Sequence, residues 1–549
     1  MTETASEFPN RRSPAVKALA GLILTLAFLF YTYTRSWTLT YDGISTIAAY
    51  TRYRETRDRY FFMDAYNLAH PFQVPLQYKI QRAMERMGLD GGDPLSAYRF
   101  SQAALAAFCL ALAFLFYVDI GAGIPAALAI TAVLGFSYGC WNYAVELEAY
   151  IAPFTLALVT AYALWRHSVT GRWLYLNAAA LAYAMTVAAH FSFIDTVPGM
   201  LAFFIYPAWR GIRRAGQVGR AVWFGLFSGA IWFSFIGILF YGMIGRAELA
   251  NFVKTEAAPG YESGFFGLFK PSAGAVLHSW ISIARTFSLA FAGGGGHWRA
   301  LKSGEFHATL LIPAGLAAFL GALAWLVISR LRRSESQPAW QRRALQWAAL
   351  GWLGGMYALM VFYNPNIESP KYYGAMLIPF SLLAALACAT ADRRGAAILT
   401  ALLAGFAVFL CGVNYALCFH PKMNPAHNAD LMAARAMATR APADATAFVL
   451  TYNNTTVRYL EFFHHLDALA ILNRDAALDR FQSNRHRLAI DGRLFNVTPE
   501  VEEYLASRKL KPDALRDAVE AALADAGFQL PRDTSPALVE AQPVPDRDR

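Results

Sequence analysis

The sequence predicts an all-α polytopic membrane protein of about eleven transmembrane helices, followed by a small C-terminal α/β domain outside the membrane. Of its 549 residues, 56% are hydrophobic and only 16% are charged. The apolar residues form blocks long enough to cross about 30 Å of hydrocarbon. The basic residues behind the net charge of +10 cluster in the short loops between these blocks. That distribution is typical of cytoplasmic loops and gives no support to nucleic-acid binding.

The transmembrane region is predicted over residues 15–418, after a polar cytoplasmic tail at 1–14. Its first span covers residues 15–33 and lacks a small-residue cleavage site, so we interpret it as a retained signal anchor and not a cleaved signal peptide. Further spans are predicted near residues 97–118, 123–141, 149–166, 174–191, 195–209, 222–244, 307–329, 344–363, 372–390 and 395–418. The fifth and sixth spans look short and broken around AHFSFIDTVPG, residues 189–199.

The distribution of arginine predicts the orientation. Tracing the spans from a cytoplasmic N-terminus places these arginines in inner loops: Arg166, Arg172, Arg210, Arg213, Arg214, Arg220, Arg330, Arg332, Arg333, Arg342, Arg343, Arg393 and Arg394. Because this agrees with the positive-inside rule, we expect a multi-pass protein of the inner (plasma) membrane. Large loops at 35–95 and 246–306, and the C-terminal domain, then lie on the external or periplasmic side.

The composition becomes polar after Phe419. Residues 419–530 are predicted to form the external α/β domain, with strands at 445–452 and in RLAIDG, residues 487–492. A Pro- and Asp-rich disordered tail is predicted at 531–549.

Two acids of the first external loop are candidate general bases, Asp42 and Asp64. A hydrated carboxylate beside the membrane can take a proton from a hydroxyl nucleophile. Either acid could instead be an interface anchor or a helix cap. A helix beginning near Leu76 carries Ile80, Met84 and Met87 on the same face, which suits the headgroup plane or a solvated connecting helix.

Further polar residues are candidates for substrate binding. In the first loop, His70 precedes a proline that holds the backbone extended, and Arg52 and Arg54 lie in a basic segment. Lysine at position 371 is a suitable point-charge partner for a phosphate. A glycine run at 293–296 is predicted to be a mobile external loop that closes over a substrate, or simply a linker.

The segment WNYAVELEAY, residues 141–150, lies at the outer end of the third predicted span. Glu146 and Glu148 so close to the bilayer suggest a polar cavity, although an aromatic belt with charged flanks has the same composition. His190 and Asp195 lie at the turn between the two short spans. The five cysteines show no metal-ligand spacing.

These stretches together resemble the GT-C superfamily of polytopic glycosyltransferases, in particular the families related to the protein O-mannosyltransferases. The counterparts of the family motifs are YDG at 41–43, HPFQVPL at 70–76, WNYAVELEAY at 141–150 and AHFSFIDTVPG at 189–199. In the third motif five positions fall in register: Trp141, Ala144, Val145, Glu148 and Tyr150. The first motif lacks the family's glutamate, since Gly43 is followed by Ile44, and the second lacks its second proline, glycine and tyrosine.

The resemblance implies transfer of a sugar from a polyprenyl-phosphate donor to a hydroxyl of a glycan, lipid or protein acceptor, with inversion. It implies Asp42 as the base, with Asp64 left open by the motif departures. It further implies that His70, Lys371, Arg52 or Arg54 neutralises the leaving phosphate, and that Trp141, Glu148, Tyr150 and His190 line the cavity. Some GT-C enzymes use a divalent metal, but the sequence shows no clear ligand set and we predict no cofactor.

Two other functions compete with transfer. A transporter or flippase of lipid-linked saccharides would also need an apolar shell and an external polar cavity. Transporters often contain inverted repeats. This sequence shows no such symmetry, and its acids gather at one membrane face. The third alternative is a non-catalytic scaffold that presents the C-terminal domain.

Overall fold

The computed structural model describes most of the predicted helical region and parts of the C-terminal segment. The described residues are 13–37, 41–56, 73–89, 95–147, 150–212, 214–238, 283, 286–293, 340–362, 373–440, 448–451, 456–457, 459–460, 468–470, 488–491, 517, 520–521, 524, 528–529, 538–540 and 542–543. The chain folds as two compact units. The first contains Met1–Arg35 and Tyr66–Pro421, and the second contains Ser36–Ala65 and Lys422–Arg549.

The first unit is built from helices. Its described helices are α1 (Pro14–Tyr33), α3 (Gln73–Arg86), α4 (Ser96–Ile120), α5 (Ile124–Phe136), α6 (Tyr138–Val145), α7 (Ile151–Thr170), α8 (Trp173–Ala189), α9 (Val197–Trp209), α10 (Arg214–Ile236), α11 (Trp340–Phe362), α12 (Tyr373–Thr390) and α13 (Arg393–Asn414); α2 (Tyr41–Thr56) belongs to the second unit. Helix α4 packs on α1, α3, α5, α6 and α7 and fills the centre with buried aromatic side chains.

Every predicted span except 307–329 corresponds to helix in the described part of the chain; that span lies outside it. By length and apolar composition, four described helices can cross a membrane: Pro14–Tyr33, Ser96–Ile120, Arg214–Phe235 and Arg393–Lys422. The bent pair α5 and α6, which meet at 60°, counts as a fifth if it forms one span. Large side chains on α1, such as Leu22, Leu26 and Leu29, are more than half exposed, as expected for a lipid-facing helix. A mostly helical membrane fold is therefore confirmed, and the count of eleven spans stays a prediction.

Local sequence signals set several helix ends. Ser13 accepts a hydrogen bond from the Val16 backbone N–H and caps α1, and Asp392 does the same for Gly395 at the start of α13. Gly121 and Gly171 end α4 and α7 with φ values of 100° and 70°, a conformation that costs glycine little.

The predicted break at 189–199 is present. Helix α8 ends at Ala189, a 3-10 turn covers Phe191–Thr196, and α9 begins at Val197. The 13 residues of α9 span only about 20 Å at 1.5 Å per residue. This helix is too short to cross a typical bilayer alone.

Helix α9 and the 3-10 turn pack closely against α11 through glycines. A Cβ atom on Gly199 would lie 2.6 Å from the Ala348 carbonyl oxygen, and one on Gly351 would lie 2.9 Å from the Pro198 carbonyl oxygen. A Cβ atom on Gly355 would collide with the carbonyl oxygen of Asp195. The backbones therefore approach as closely as small-residue interfaces of membrane helices allow.

The helix predicted around Leu76 is present as α3, and the face that it buries in the protein is partly polar; its position in the headgroup plane stays a prediction. Val74, Gln77 and Gln81 are buried, whereas Met87 is 62% exposed. The Gln81 side-chain oxygen accepts the Ala97 backbone N–H at 2.8 Å and thereby caps α4, whose own N-cap residue is a leucine. The face of α3 that carries Gln77 and Gln81 is buried because it forms hydrogen bonds to α4. The spacing of hydrophobic residues in the sequence does not indicate such hydrogen bonds.

The second unit contains a small sheet and α2. Strands β1 (Phe448–Thr451), β2 (Ala468–Ala470), β3 (Leu488–Asp491) and β5 (Leu538–Glu540) form a sheet in the order β2-β1-β3-β5; β4 (Phe528–Gln529) pairs with β6 (Gln542–Pro543). The first three strands pair in parallel, and β5 is antiparallel to β3. Both predicted strands correspond to β1 and β3. The external position of this region, its domain boundaries and the disordered tail stay predictions.

Candidate functional site

Two of the sequence motifs meet the start of α12 in the first unit. Helix α6 carries Tyr143, the turn after α8 carries His190 and Phe193, and the start of α12 carries Gly374. The Gly374 N–H donates to the Tyr143 hydroxyl at 3.4 Å. A Cβ atom on Gly374 would lie 2.6 Å from the Phe154 ring and 3.3 Å from the Phe193 ring. The segment that follows Lys371 is thus held against the other two motifs.

Tyr150 and His190 lie side by side, and their role in lining a substrate cavity stays a prediction. Their ring centroids are 5.0 Å apart, and Tyr143 lies 5.4 Å from Tyr150 on the other side. His190 is buried, and its ring also contacts Phe193 at 6.3 Å. Offset and tilted contacts at these distances favour fixed ring orientations. We call Tyr143, Tyr150, His190 and Phe193 the aromatic cluster.

Trp141 lies beside this cluster in a buried stack. Its indole N–H donates to the Thr34 hydroxyl at 3.0 Å, and its ring stacks on Phe419 at 4.3 Å. Tyr138 also stacks on Phe419, with ring centroids 5.6 Å apart. Trp141 has no exposed surface, and its described contacts hold α6 to Thr34 at the end of α1 and to the π turn at Tyr415–Phe419. Contact between Trp141 and a substrate stays a prediction.

A buried carboxylate follows α6. Glu146 is 3% exposed, and one of its carboxylate oxygens accepts a hydrogen bond from Asn142 at 3.1 Å. Asp195, on the 3-10 turn, is also buried. Buried acids at a membrane boundary are costly unless their environment is polar. Glu148, which the resemblance singled out, lies outside the described residues, and Glu146 is a buried acid of the described part of this motif.

Asn414 joins three separated backbone segments and was not among the predicted site residues. Its amide group donates to the carbonyl oxygens of Phe136 and Phe291, each at 2.8 Å. Its carbonyl oxygen accepts the Gly293 N–H at 3.1 Å. The first glycine of the 293–296 run is therefore fixed, and it packs directly on the Tyr138 ring. The available signal was a single asparagine at the end of an apolar span.

The remaining predicted residues fall elsewhere. Asp42 is the second residue of α2, and Arg52 and Arg54 lie in its C-terminal half, with Arg54 exposed. Helix α2 belongs to the second unit. The positions of Asp64, His70, Glu148 and Lys371 lie outside the described residues. Within the described part of the chain, no group of three or more His, Cys, Asp or Glu residues has a metal-binding arrangement.

Comparison with known proteins gives a match in structure and none in sequence. No family model matches this sequence, and no curated protein sequence matches it. The crystal structure of ArnT from Cupriavidus metallidurans bound to undecaprenyl phosphate superposes with a TM-score of 0.55 at 12% identity. The match covers 97% of this chain and 99% of ArnT. The apo structure of the same ArnT gives a TM-score of 0.38 at 13% identity, covering 96% of this chain and 98% of ArnT.

The superposition with the undecaprenyl phosphate complex extends over nearly the whole of both chains, so the likeness concerns the complete architecture and not one helical hairpin. The chain therefore has the fold of ArnT, which fits the fold that the resemblance to the GT-C superfamily implied.

Proposed function

We propose that this protein is a membrane glycosyltransferase that moves a sugar from a polyprenyl-phosphate donor to an acceptor hydroxyl on the external face of the membrane. The observation that carries the proposal is the ArnT-like fold over 97% of the chain. The ArnT structure contains undecaprenyl phosphate, a polyprenyl phosphate of the class that would leave in this reaction. The meeting of the 141–150 and 189–199 motifs with Gly374 adds support from this chain's own residues.

The reaction is an inverting displacement. A carboxylate, Asp42 or alternatively Asp64, accepts the proton of the acceptor hydroxyl. The hydroxyl oxygen attacks the anomeric carbon of the sugar, and the bond between that carbon and the phosphate oxygen breaks. The electron pair leaves with the lipid phosphate, whose charge must be stabilised by cationic groups. His70, Lys371, Arg52 and Arg54 are the candidates.

The aromatic cluster suits a sugar-binding role. Aromatic rings fixed by their neighbours can stack on the apolar face of a hexose, while the Tyr150 hydroxyl and the His190 imidazole can hydrogen-bond to its hydroxyls. Buried Glu146 would orient further hydroxyls through its carboxylate, and Trp141 would keep α6 in register.

A flippase for lipid-linked saccharides is the second candidate, since it would use the same donor and an apolar shell. Transporters place their sites near the midplane of the bilayer, between repeats. In this chain the buried acids Glu146 and Asp195 lie at the helix ends predicted to face outside. This arrangement favours transfer chemistry.

Sugar release from the lipid tests the proposal. Purified protein would be incubated with radiolabelled polyprenyl-phosphate sugars and membrane extract as the source of acceptor. We expect release by the wild type and a loss of at least about 100-fold in either Asp42→Asn or Asp64→Asn, because general-base catalysis contributes that much. Asp392→Asn is the matched control, since asparagine caps a helix as well as aspartate.

Two results would contradict the proposal. If neither first-loop variant loses activity, the base lies elsewhere in the chain. If the wild type binds a donor and moves it across liposomes without releasing sugar, the protein is a flippase.

A further inference from the structure

Asn428 makes three hydrogen bonds inside the second unit. Its side-chain oxygen accepts the Leu431 N–H at 3.0 Å and caps α14 (Ala429–Arg440). Its amide group donates to the Trp37 carbonyl oxygen at 2.9 Å and to the Tyr459 hydroxyl at 2.8 Å. The side chain is 8% exposed. Both donor protons and the acceptor oxygen are thus used.

The bond to Trp37 is one of two that fix the chain before α2. The Trp37 N–H donates to the Lys422 carbonyl oxygen at 2.8 Å. Trp37 is therefore held at both its N–H and its carbonyl group, by Lys422 and Asn428. Helix α2 begins at Tyr41 and carries Asp42 as its second residue. Several side chains of α2, including Ile44, Ile47 and Tyr50, are buried.

We propose that Asn428 is a positioning residue, which holds the entrance to α2, and with it Asp42, in place from the C-terminal part of the chain. The positional role in catalysis rests on the proposed function, in which Asp42 is the base. We call the hydrogen bond from the Asn428 amide group to the Trp37 carbonyl oxygen the tether. The tether does not depend on that function. It assigns to the C-terminal region a direct part in organising the first external loop.

The substitution Asn428→Asp tests the positioning role of Asn428 separately from its contribution to stability. Its carboxylate still caps α14, because aspartate and asparagine are equally good caps. The Tyr459 hydroxyl can donate to the carboxylate, so that contact is kept with its direction reversed. Only the Trp37 carbonyl loses its donor and faces a negative oxygen instead. Asn428→Asp therefore breaks the tether selectively.

Asn424 provides the matched control. Its side-chain oxygen accepts the Ala426 N–H at 3.0 Å, and it caps the short 3-10 turn Pro425–His427. Asn424→Asp makes the same chemical change a few residues away, without a contact to Trp37. Tyr459→Phe is a second control, which removes the hydroxyl contact and leaves the Trp37 bond.

Hydrogen exchange of the full-length protein in detergent tests the tether. Loss of one buried hydrogen bond together with repulsion predicts exchange about tenfold faster for peptides from α2 in Asn428→Asp. Peptides from β1 should be unchanged, as should α2 peptides in both controls. If Asn428→Asp does not accumulate, Asn428→Ser keeps a good cap without the charge and should change α2 exchange in the same direction.

Sugar release by the same variants tests positioning. We expect Asn428→Asp to lower kcat about tenfold, because the base on α2 is displaced. The donor KM should rise as well to the extent that Arg52 and Arg54 of the same helix bind the phosphate. Unchanged exchange in α2 would overturn the tether, whatever the activity. Faster exchange together with an unchanged kcat would overturn the positioning role. If the wild type is inactive, the proposed function fails while the exchange result still decides the tether.

Discussion

Replacing Gly355 with alanine tests the close packing that supports the His190 turn. A Cβ atom at this position would collide with the Asp195 carbonyl oxygen and lie 3.0 Å from the Pro198 ring. The Asp195 oxygen belongs to the backbone of a turn between two helices, so it cannot rotate away as a side chain would. Helix α11 and the turn must therefore move apart.

The change in unfolding free energy caused by Gly355→Ala can be compared with that of the same substitution at the neighbouring Gly354. Overpacking a tight interface costs about 1–3 kcal/mol, and contact with backbone puts this substitution at the upper end. Alanine in a helix is about 1 kcal/mol more favourable than glycine. Gly355→Ala should therefore lose about 2 kcal/mol of unfolding free energy. Gly354 has no atom within 4 Å of its Cβ position, so Gly354→Ala should gain up to about 1 kcal/mol.

Reversible unfolding in mixed detergent micelles measures this difference of about 3 kcal/mol between two adjacent glycines. The displaced turn should also shift His190, so the donor KM of Gly355→Ala should rise in the sugar-release assay while that of Gly354→Ala should not. Equal stability of the two variants would refute the close approach of α11 and the turn, and with it the argument that glycine is required at position 355.

Two further predictions concern polar contacts of the first unit. Gln81→Leu removes the acceptor for the Ala97 N–H and should cost about 1–2 kcal/mol of unfolding free energy; Lys79→Leu, which changes an exposed residue of the same helix, should cost less than about 0.5 kcal/mol in the same denaturation experiment. Asp119 accepts hydrogen bonds from Tyr162 at 2.7 Å and from Arg166 at 3.2 Å. Asp119→Asn should cost about 3 kcal/mol, because it leaves the largely buried guanidinium without its charge partner. A cost as small as that of Asp392→Asn would show that the Asp119–Arg166 pair is screened by solvent.

Much of the fold follows from simple features of the sequence. Apolar blocks predicted the helices, and the polar stretch with a proline at 189–199 predicted the break between α8 and α9. Both signals are local, because they depend on the cost of placing polar groups and irregular backbone in hydrocarbon. The same principle drew attention to His190 and to the glutamates of the 141–150 motif.

Long-range pairing could not be predicted in this way. Nothing in the sequence indicates that Gln81 caps α4, or that Asn414 bonds to carbonyl groups near residues 136 and 291. The hydropathy pattern also does not predict that residues 36–65 form one compact unit with the C-terminal region. An asparagine or glutamine side chain offers the same donors and acceptors wherever it lies, so its partner is decided by the three-dimensional path of the chain.

The two asparagines perform comparable tasks at different places. Asn414 fixes the bend after α5 and the first glycine of the 293–296 run, while Asn428 fixes the entrance to α2. Each bonds mainly to backbone groups that regular helix would have satisfied internally. Irregular backbone near a membrane is stable only when such partners exist.

The bend after α5, the 3-10 turn at 191–196 and the π turn at 415–419 all lie at helix ends predicted to face outside. The opposite ends of α4, α7 and α13 finish in ordinary glycine or aspartate caps. Among the described residues of the first unit, these irregular turns and the buried acids Glu146 and Asp195 thus lie at helix ends predicted to face the same side, which is where a reaction at the membrane surface would require them.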